Sequence, residues 1–501
     1  MRLRAAFPCI RRDRSFDLGK CFPGGSTWVA HLRVQTCAEP ALYLSEVFET
    51  FVKKSPVSVI ARVAMERAMS GPDVDAVFER TADLQYTREL AFSTVVDLMG
   101  SVVTRTRPSI HAAIQAASAD IPVSVTSVYN KLNGTEPAVC AALVSHGAAR
   151  LKPVIESMGG QLPPWLPGYR MRILDGNHLG ATERRIDVLK QCAAGPLPGQ
   201  CLVMLCPSTK LVTDVIPCED GHASERSMTD EILALVMALD VLVGDRNFCT
   251  SRLLGGIAQR QAFFIMRQHA TNVPWEPLSK PVEVGRTETG VVWEQRVSLS
   301  VEGGPLEARR ITLKLNKQTR DGDGAIHIVT NLPAAAAPGI RIAEIYRGRW
   351  TLETAFQELT VYLRCEVNTL GYPRAALLGF CVALIAYNVL STVKAALRAA
   401  HGHEVVEKNV SAFYLADEVT GTYRGMMMVV PPQYWVELQD LSDSQVGERL
   451  VAFARGARIG AFQKHRRGPK KPVPPRVRFK DQPHVSTARL LAERKSENNP
   501  P

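Results

Sequence analysis

Two short apolar runs constrain the fold of this 501-residue chain more than anything else in it. MRILDGN (171 to 177) reads as a buried strand ending in Asp175, and DVLVGDRNF (240 to 248) as another ending in Asp245. Both carboxylates therefore stand at strand ends, where α/β folds place their ligands. An aspartate after an apolar strand is also a common cap or turn residue, so neither one alone defines a site. CLVMLC (201 to 206), LVTDVIP (211 to 217) and AFFIMR (262 to 267) read as further strands, and MTDEILALVMALD (228 to 240) as a helix. This alternation predicts an α/β core.

EIYRGRWTLETAFQEL (344 to 359) supplies a third carboxylate. Tyr346, Arg349 and Glu353 fall at i, i+3 and i+7 on what reads as one helix. At 100° per residue those three, with Thr360 beyond them, lie within roughly 60° of one another. Leu352, Ala355, Phe356, Leu359 and Leu363 form a neighbouring apolar stripe that anchors the helix to a core. A carboxylate held on a rigid element beside a guanidinium suits a site for metal ions and a phosphate. The plain alternative is an i,i+4 Arg/Glu surface pair. With Asp175 and Asp245 added, three carboxylates can hold two divalent metals about 3.5–4 Å apart, as in phosphoryl transfer.

On these residues the chain resembles the bacterial insertion-sequence transposases of the DDE type, specifically the insertion-sequence-four group with its Y-R-E-K signature. Tyr346, Arg349 and Glu353 fit that signature, and Thr360 occupies its lysine position. The resemblance extends through DGNHLGATERR (175 to 185), GDRNF (244 to 248) and IVTNLP (328 to 333), and covers roughly residues 44 to 400. It implies a ribonuclease-H-like catalytic core in which Asp175, Asp245 and Glu353 bind two Mg²⁺ ions, with Mn²⁺ as an alternative. The substrate it implies is double-stranded DNA, both terminal inverted repeats and target, handled by a homodimer in the bacterial cytoplasm. Trp350 is then an aromatic that stabilises distorted or flipped bases, although a place in the core is the competing reading. Arg364, one helical turn beyond Thr360, is the candidate to replace the missing lysine on a DNA phosphate.

The implied reaction is metal-assisted cleavage and joining of DNA. Asp175 and Asp245 would hold the ion that activates water or a 3′-hydroxyl, and Asp175 and Glu353 the ion at the leaving oxygen. Arg349 and Tyr346 would contact the phosphate or flanking strand, because a planar guanidinium grips phosphate oxygens in two directions. His178 and Arg246, close to the aspartates, would orient the carboxylates. A domesticated metal-dependent nuclease and a catalytically inactive DNA-binding remnant are the alternatives.

The chain changes character along its length. Residues 1–43 are expected to lack structure, and 44–162 to form a helical DNA-binding domain. In that domain DIPVSVTSVYNKLNG (120 to 134) offers hydroxyls and Lys131 to phosphates, or is simply a solvated helix. PPWLPGY (163 to 169) reads as a linker. The catalytic core spans 163–267 and 328–400, divided by an antiparallel β-rich insertion over 268–327. Residues 401–463 read as helical, with YWVELQDLSDSQVGERLVAFARG (434 to 456) either a dimer contact or a helix on its own core. The remainder, 464–501, reads as a basic, disordered tail. Arg466, Arg467, Lys470 and Lys471 make that tail an electrostatic arm for DNA phosphates, against a merely solvated segment.

Net charge is +11, so a polyanionic partner fits. Eleven cysteines, without a C-x-x-C pair or zinc-finger spacing, argue for a reduced protein and against a disulfide scaffold. Cys218 and His222 read as part of a polar turn rather than a zinc site. The arginine-rich start lacks the apolar stretch of a signal peptide. AALLGFCVALIAYNVLSTV (375 to 393) is apolar enough to raise the question of a membrane. Asn388 and the short length favour a buried core helix and no membrane partner.

Overall fold

In the computed structural model the runs ending in Asp175 and Asp245 form adjacent parallel strands, β1 (Arg170–Leu179) and β5 (Asp240–Gly244). The structure describes residues 46–180, 186–191, 195–319, 322–350, 352, 355, 356, 363–430, 433–465 and 485–498. On one side of β1 lie β3 (Gly199–Leu205) and β4 (Val212–Cys218), each antiparallel to its neighbour. On the other side β5 is followed by β6 (Phe263–Arg267), again parallel. Three antiparallel strands are thus continued by two parallel ones, a mixed sheet in an α/β protein.

The remaining strands are β7 (Trp275–Pro277), β8 (Val282–Thr287), β9 (Gly290–Val301), β10 (Gly304–Leu315) and β11 (Ala325–Thr330). They are antiparallel, as the sequence predicts for this stretch, but they do not stand apart from the core. β11 is hydrogen-bonded to β6, with Ile328 opposite Arg267, so the sheet runs β4-β3-β1-β5-β6-β11-β10-β9-β7, and β8 also pairs with β9. Gly303, at φ +99°, makes the tight turn that folds β10 back on β9.

Side chains alternate across the sheet and give it a core on each face. Leu242, Phe264 and Met266 pack with Ile232, Leu253 and Ile257 of the helices Thr229–Ala234 and Ser251–Gln259. Val241, Val243 and Ile265 face the other way, onto Ile342, Ala343 and Ile345 of the helix Gly339–Gly348. The helix expected over 228–240 ends at Ala234; a turn that places Leu239 at φ +65° then leads into β5, to which only Asp240 of the expected stretch belongs. Where β5 begins, Asp240 is fully buried and accepts from Arg170 Nη2 at 2.7 Å and from the Met237 amide at 2.9 Å. Arg172, also buried, reaches the same carboxylate and donates to the Leu235 carbonyl at 2.6 Å.

The helix Pro373–His401 carries the long apolar stretch. That helix and Pro137–Ser157 are both long and apolar enough to cross a membrane, yet the apolar window of Pro373–His401 lies wholly inside the protein. Asn388 explains its polar exception: its amide accepts from Val212 N–H at 2.7 Å and donates to Val212 C=O at 2.8 Å, satisfying the first residue of β4. Helices from both ends of the chain pack around Pro373–His401, among them Pro56–Ala68, Phe92–Val103, Pro137–Ser157 and Asp443–Arg455. Polar contacts lock the two ends together: Ser55 Oγ donates to Glu418 at 2.8 Å, and Arg67 pairs with Asp443 at 2.6 Å. The N-terminal helices are thus built into the rest of the described chain rather than set beside it.

Two further segments differ from expectation. The 434–456 stretch forms two helices, Gln433–Gln439 and Asp443–Arg455, because Ser442 and Gln445 make a capping box that starts the second afresh. Within 464–501, expected to lack structure, Val485–Ser486 (β12) pairs with Pro196–Leu197 (β2) and leads into the helix Thr487–Asn498. Arg489 of that helix binds Asp220 at 2.7 Å.

Candidate active site

The site grows from strand register. Met171 stands opposite Val241 and Ile173 opposite Val243, so Asp175 and Asp245 are each two residues beyond a paired position on neighbouring parallel strands. Asp245 also does what an aspartate after a strand commonly does: Oδ1 accepts from Asn247 N at 2.7 Å and caps the turn Arg246–Phe248. Asp175 Oδ1 accepts from Gly176 N at 3.1 Å, and its Oδ2 accepts from Arg349 Nη1 at 2.9 Å. The two ion-paired side chains are 17% and 11% exposed, respectively. Burial pushes the Asp175 carboxyl up to about 6, and Asp245 and Glu225 add to the rise, while Arg349 and the Gly176 N–H oppose it.

Arg349 follows directly on the helix Gly339–Gly348 and keeps αR geometry. Gly348 is required there by close approach. A Cβ at this position would lie 2.4 Å from Cη2 of Trp165, and Trp165 C=O in turn accepts from Arg341 Nη2 at 2.7 Å. The stretch expected as a linker is thus the surface on which the arginine helix rests. Tyr346 is buried on the same helix. Burial raises its phenol, and Arg349, which donates to the hydroxyl, opposes the rise; Asp245 also acts on it. Leu352, Ala355 and Leu363 are buried, as the apolar stripe requires.

The structure therefore brings Asp175, Asp245, Tyr346 and Arg349 together. The Arg349 guanidinium, expected on a phosphate, is here bound to the Asp175 carboxylate. Glu353 and Thr360 lie outside the described residues, as do Arg466, Arg467, Lys470 and Lys471. Trp350 is 54% exposed. Arg364 has a different local setting from the helical one expected. It sits in an irregular segment rather than on a helix, with its guanidinium on the Pro108 carbonyl and its amide donating to Val103 C=O at 2.9 Å. Lys131 is similarly engaged: Nζ donates to Tyr86 C=O at 2.9 Å and lies 4.0 Å from the Phe78 ring centroid. Ser124 serves as the N-cap of its helix, accepting from Ser127 N at 3.1 Å. His178, by strand alternation, faces away from Asp175, and Arg246 lines a cavity next to Asp245.

Glu225 is the residue that local pattern does not reveal. It opens a short turn after β4, accepts from Asn247 Nδ2 at 3.3 Å, and its charge acts on Asp175. Gly176 leaves the room it needs, since a Cβ there would meet the Glu225 carboxylate. The glycine of the DGN motif was the only hint, and it signals close approach without naming the neighbour.

Among the described residues no three His, Cys, Asp or Glu side chains gather as a ready metal site. The Asp175 and Asp245 pair nonetheless fits a divalent cation. One member is largely buried with its proton affinity raised, in part by the other's charge, and a hard cation with oxygen ligands relieves both burdens.

Comparison with known proteins agrees with this geometry. Residues 168–389, which contain both aspartates and the arginine helix, match the family described as "Transposase DDE domain". A Sinorhizobium fredii protein named "Putative transposase y4zB" is 27% identical over 150 residues, covering 29% of this chain and 40% of that protein. The matched stretch thus spans less than half of that relative. Together the two findings support a DDE-type transposase, an enzyme class that acts on DNA and generally uses divalent metal ions.

Proposed function

We propose that the protein is a DNA transposase of the insertion-sequence-four group, cleaving and joining element ends by cut-and-paste transposition. The observation that carries this reading is the placement of Asp175 and Asp245 on neighbouring parallel strands, with Arg349 and Tyr346 over them: Asp245 directly follows β5, whereas Asp175, expected at a strand end, lies within β1 because that strand runs on to Leu179 against β3. The order of three antiparallel strands continued by two parallel ones supports a ribonuclease-H-like core. Asp175, Asp245 and Glu353 would hold two Mg²⁺ ions, which when bound supply a nucleophile at neutral pH and charge neutralisation at the leaving oxygen.

The chain's own residues do the rest. Asp175, raised to about 6, is mostly ionised at neutral pH and ready to accept a cation. Arg349 occupies that carboxylate and stands beside the site, where its guanidinium would also be within reach of a DNA phosphate once Asp175 is engaged as a ligand. Tyr346 accepts from Arg349 and fixes its direction. Trp350, exposed next to it, offers a stacking face worth about 1–3 kcal/mol per base.

The test is an assay of purified protein with Mg²⁺ and DNA carrying the flanking inverted repeats. Joined products are expected, with Asp175→Ala, Asp245→Ala and Glu353→Ala each abolishing cleavage while DNA binding persists. Cleavage without joining would indicate a nuclease. Substantial cleavage by Asp245→Ala would end the assignment.

A further inference from the structure

Next to Asp245, the segment after β6 encloses with β10 and β11 a cavity of about 290 Å³. Its wall includes Arg246, Arg267, Arg310, Trp275, Asp323 and His327. Arg267 is neutralised by Asp323, Nη2 to Oδ2 at 2.6 Å. Among the described residues neither Arg246 nor Arg310 has an acidic partner. Arg310 instead donates to Gln268 Oε1 at 2.7 Å, and its guanidinium carbon lies 4.7 Å from the Trp275 ring centroid. His327 shares a hydrogen bond with Thr312 at 3.1 Å, and burial together with Arg310 and Arg267 holds its pKa below the ordinary histidine value.

Three guanidiniums therefore face one described carboxylate. A half-buried Arg310 without a counter-charge is costly, and burial indeed pulls its pKa down. The cavity wall is thus net positive among its described residues, a setting suited to an anion. The planar fork of arginine matches phosphate oxygens, and the Trp275 ring holds that fork in place through a cation–π contact.

We infer that this cavity is a phosphate-binding subsite, in which Arg310 and Arg246 grip one phosphate group of the DNA strand that passes Asp245. It lies on the β-extension side of the site, served by residues other than the Tyr346 and Arg349 face. The inference rests on the reading of the chain as a DNA-acting enzyme.

Binding of a fluorescent duplex by the full chain, measured without metal over a series of salt concentrations, tests it. Arg310→Met and Arg246→Met are each expected to lower the slope of log affinity against log salt by about one, with melting temperatures close to wild type. Arg310→Lys keeps the charge and is expected to keep the slope. Unchanged slopes in both methionine variants, with wild-type DNA binding intact, overturn the subsite and leave the transposase reading standing. A wild-type chain that binds no DNA but takes up inorganic phosphate in calorimetry, with uptake lost in Arg310→Met, keeps the site, assigns it to a free phosphate and overturns the transposase reading. Uptake of neither overturns both.

Discussion

Arg349 Nη1 stands 2.9 Å from Oδ2 of Asp175, so the carboxylate proposed to bind metal is held by a guanidinium from the arginine helix. The pair is nearly buried, and its electrostatics are not screened as a surface pair would be. Burial is the largest influence on Asp175, Arg349 the main one opposing it, and Asp245 the next. Removing the guanidinium leaves burial and repulsion opposed only by the Gly176 N–H. In Arg349→Met the Asp175 carboxyl should titrate above the value of about 6 that it has in the intact protein. Carboxyl carbon NMR of selectively labelled protein reads this directly, and an unchanged or lower titration point would show that Arg349 does not govern the site.

Asp175 also has a signature in stability. A carboxyl whose folded pKa lies above its unfolded value of 3.8 binds its proton more tightly in the folded state. Its favourable contribution is present in full below that unfolded value and is lost as pH rises through about 6. Asp175→Asn, which cannot ionise, should therefore stabilise the protein at pH 7–8, on the order of 1–3 kcal/mol before the lost Arg349 contact is subtracted. The gain should vanish towards pH 4. Thermal unfolding across this range checks it, and a pH-independent difference would contradict the sign.

At the other end of the sheet the balance is structural. Asp240 is fully buried and joined to Arg170 and Arg172, so Asp240→Ala leaves Arg170 without its carboxylate and Arg172, also paired with Asp214, with one partner fewer. Breaking a buried pair from one side costs about 3–5 kcal/mol. Replacing Arg170 and Asp240 together by Met and Leu, which leaves Arg172 on Asp214, should recover much of that loss. Denaturant unfolding of the single and double variants would reveal additive losses if the network were unimportant.

The parts of this arrangement that the sequence makes legible are those set by local pattern. The strands of Asp175 and Asp245 are continuous apolar runs because both faces of the sheet are covered, and the buried stripe of Leu352 and Ala355 follows helical spacing. What stayed hidden depends on partners far along the chain. Pairing of β10 with β11, Arg309 opposite Thr330 and Ile311 opposite Ile328, which joins the β-rich insertion to the core sheet, is a matter of long-range register. The Tyr86 carbonyl, 45 residues away, that accepts from the Lys131 ammonium has no local signal either. Glu225 has no motif at all; only the fold carries it to Asp175.

Arg364 follows the same lesson. Its guanidinium rests on the Pro108 carbonyl and its backbone on Val103, so it ties the segment after the apolar stripe to the N-terminal helices. Arg364→Ala should lower stability by about 1 kcal/mol, the net worth of one hydrogen bond to a charged group or somewhat less. The salt dependence of DNA binding should stay as it is. A slope reduced by about one, with stability unchanged, would restore the phosphate role first expected of it.

The basic stretch at 464–480 invites a test that leaves its surroundings intact. Upstream, Lys464 N donates to Asn409 C=O at 2.7 Å; downstream, β12 pairs with β2 and Arg489 binds Asp220. Deleting everything from 464 onward would remove those anchors along with the charge, so a loss of DNA binding could not be attributed. Substituting Arg466, Arg467, Lys470 and Lys471 by glutamine removes only the charge. If each meets a phosphate, the slope of log affinity against log salt should fall by about 3 to 4, at about 0.9 per contact. The loss should be equal for inverted-repeat and unrelated duplexes, because phosphates carry no sequence. Anisotropy titrations on both DNAs decide between outcomes: an unchanged slope means the stretch does not touch DNA, and a loss confined to the repeat sequence means it reads bases.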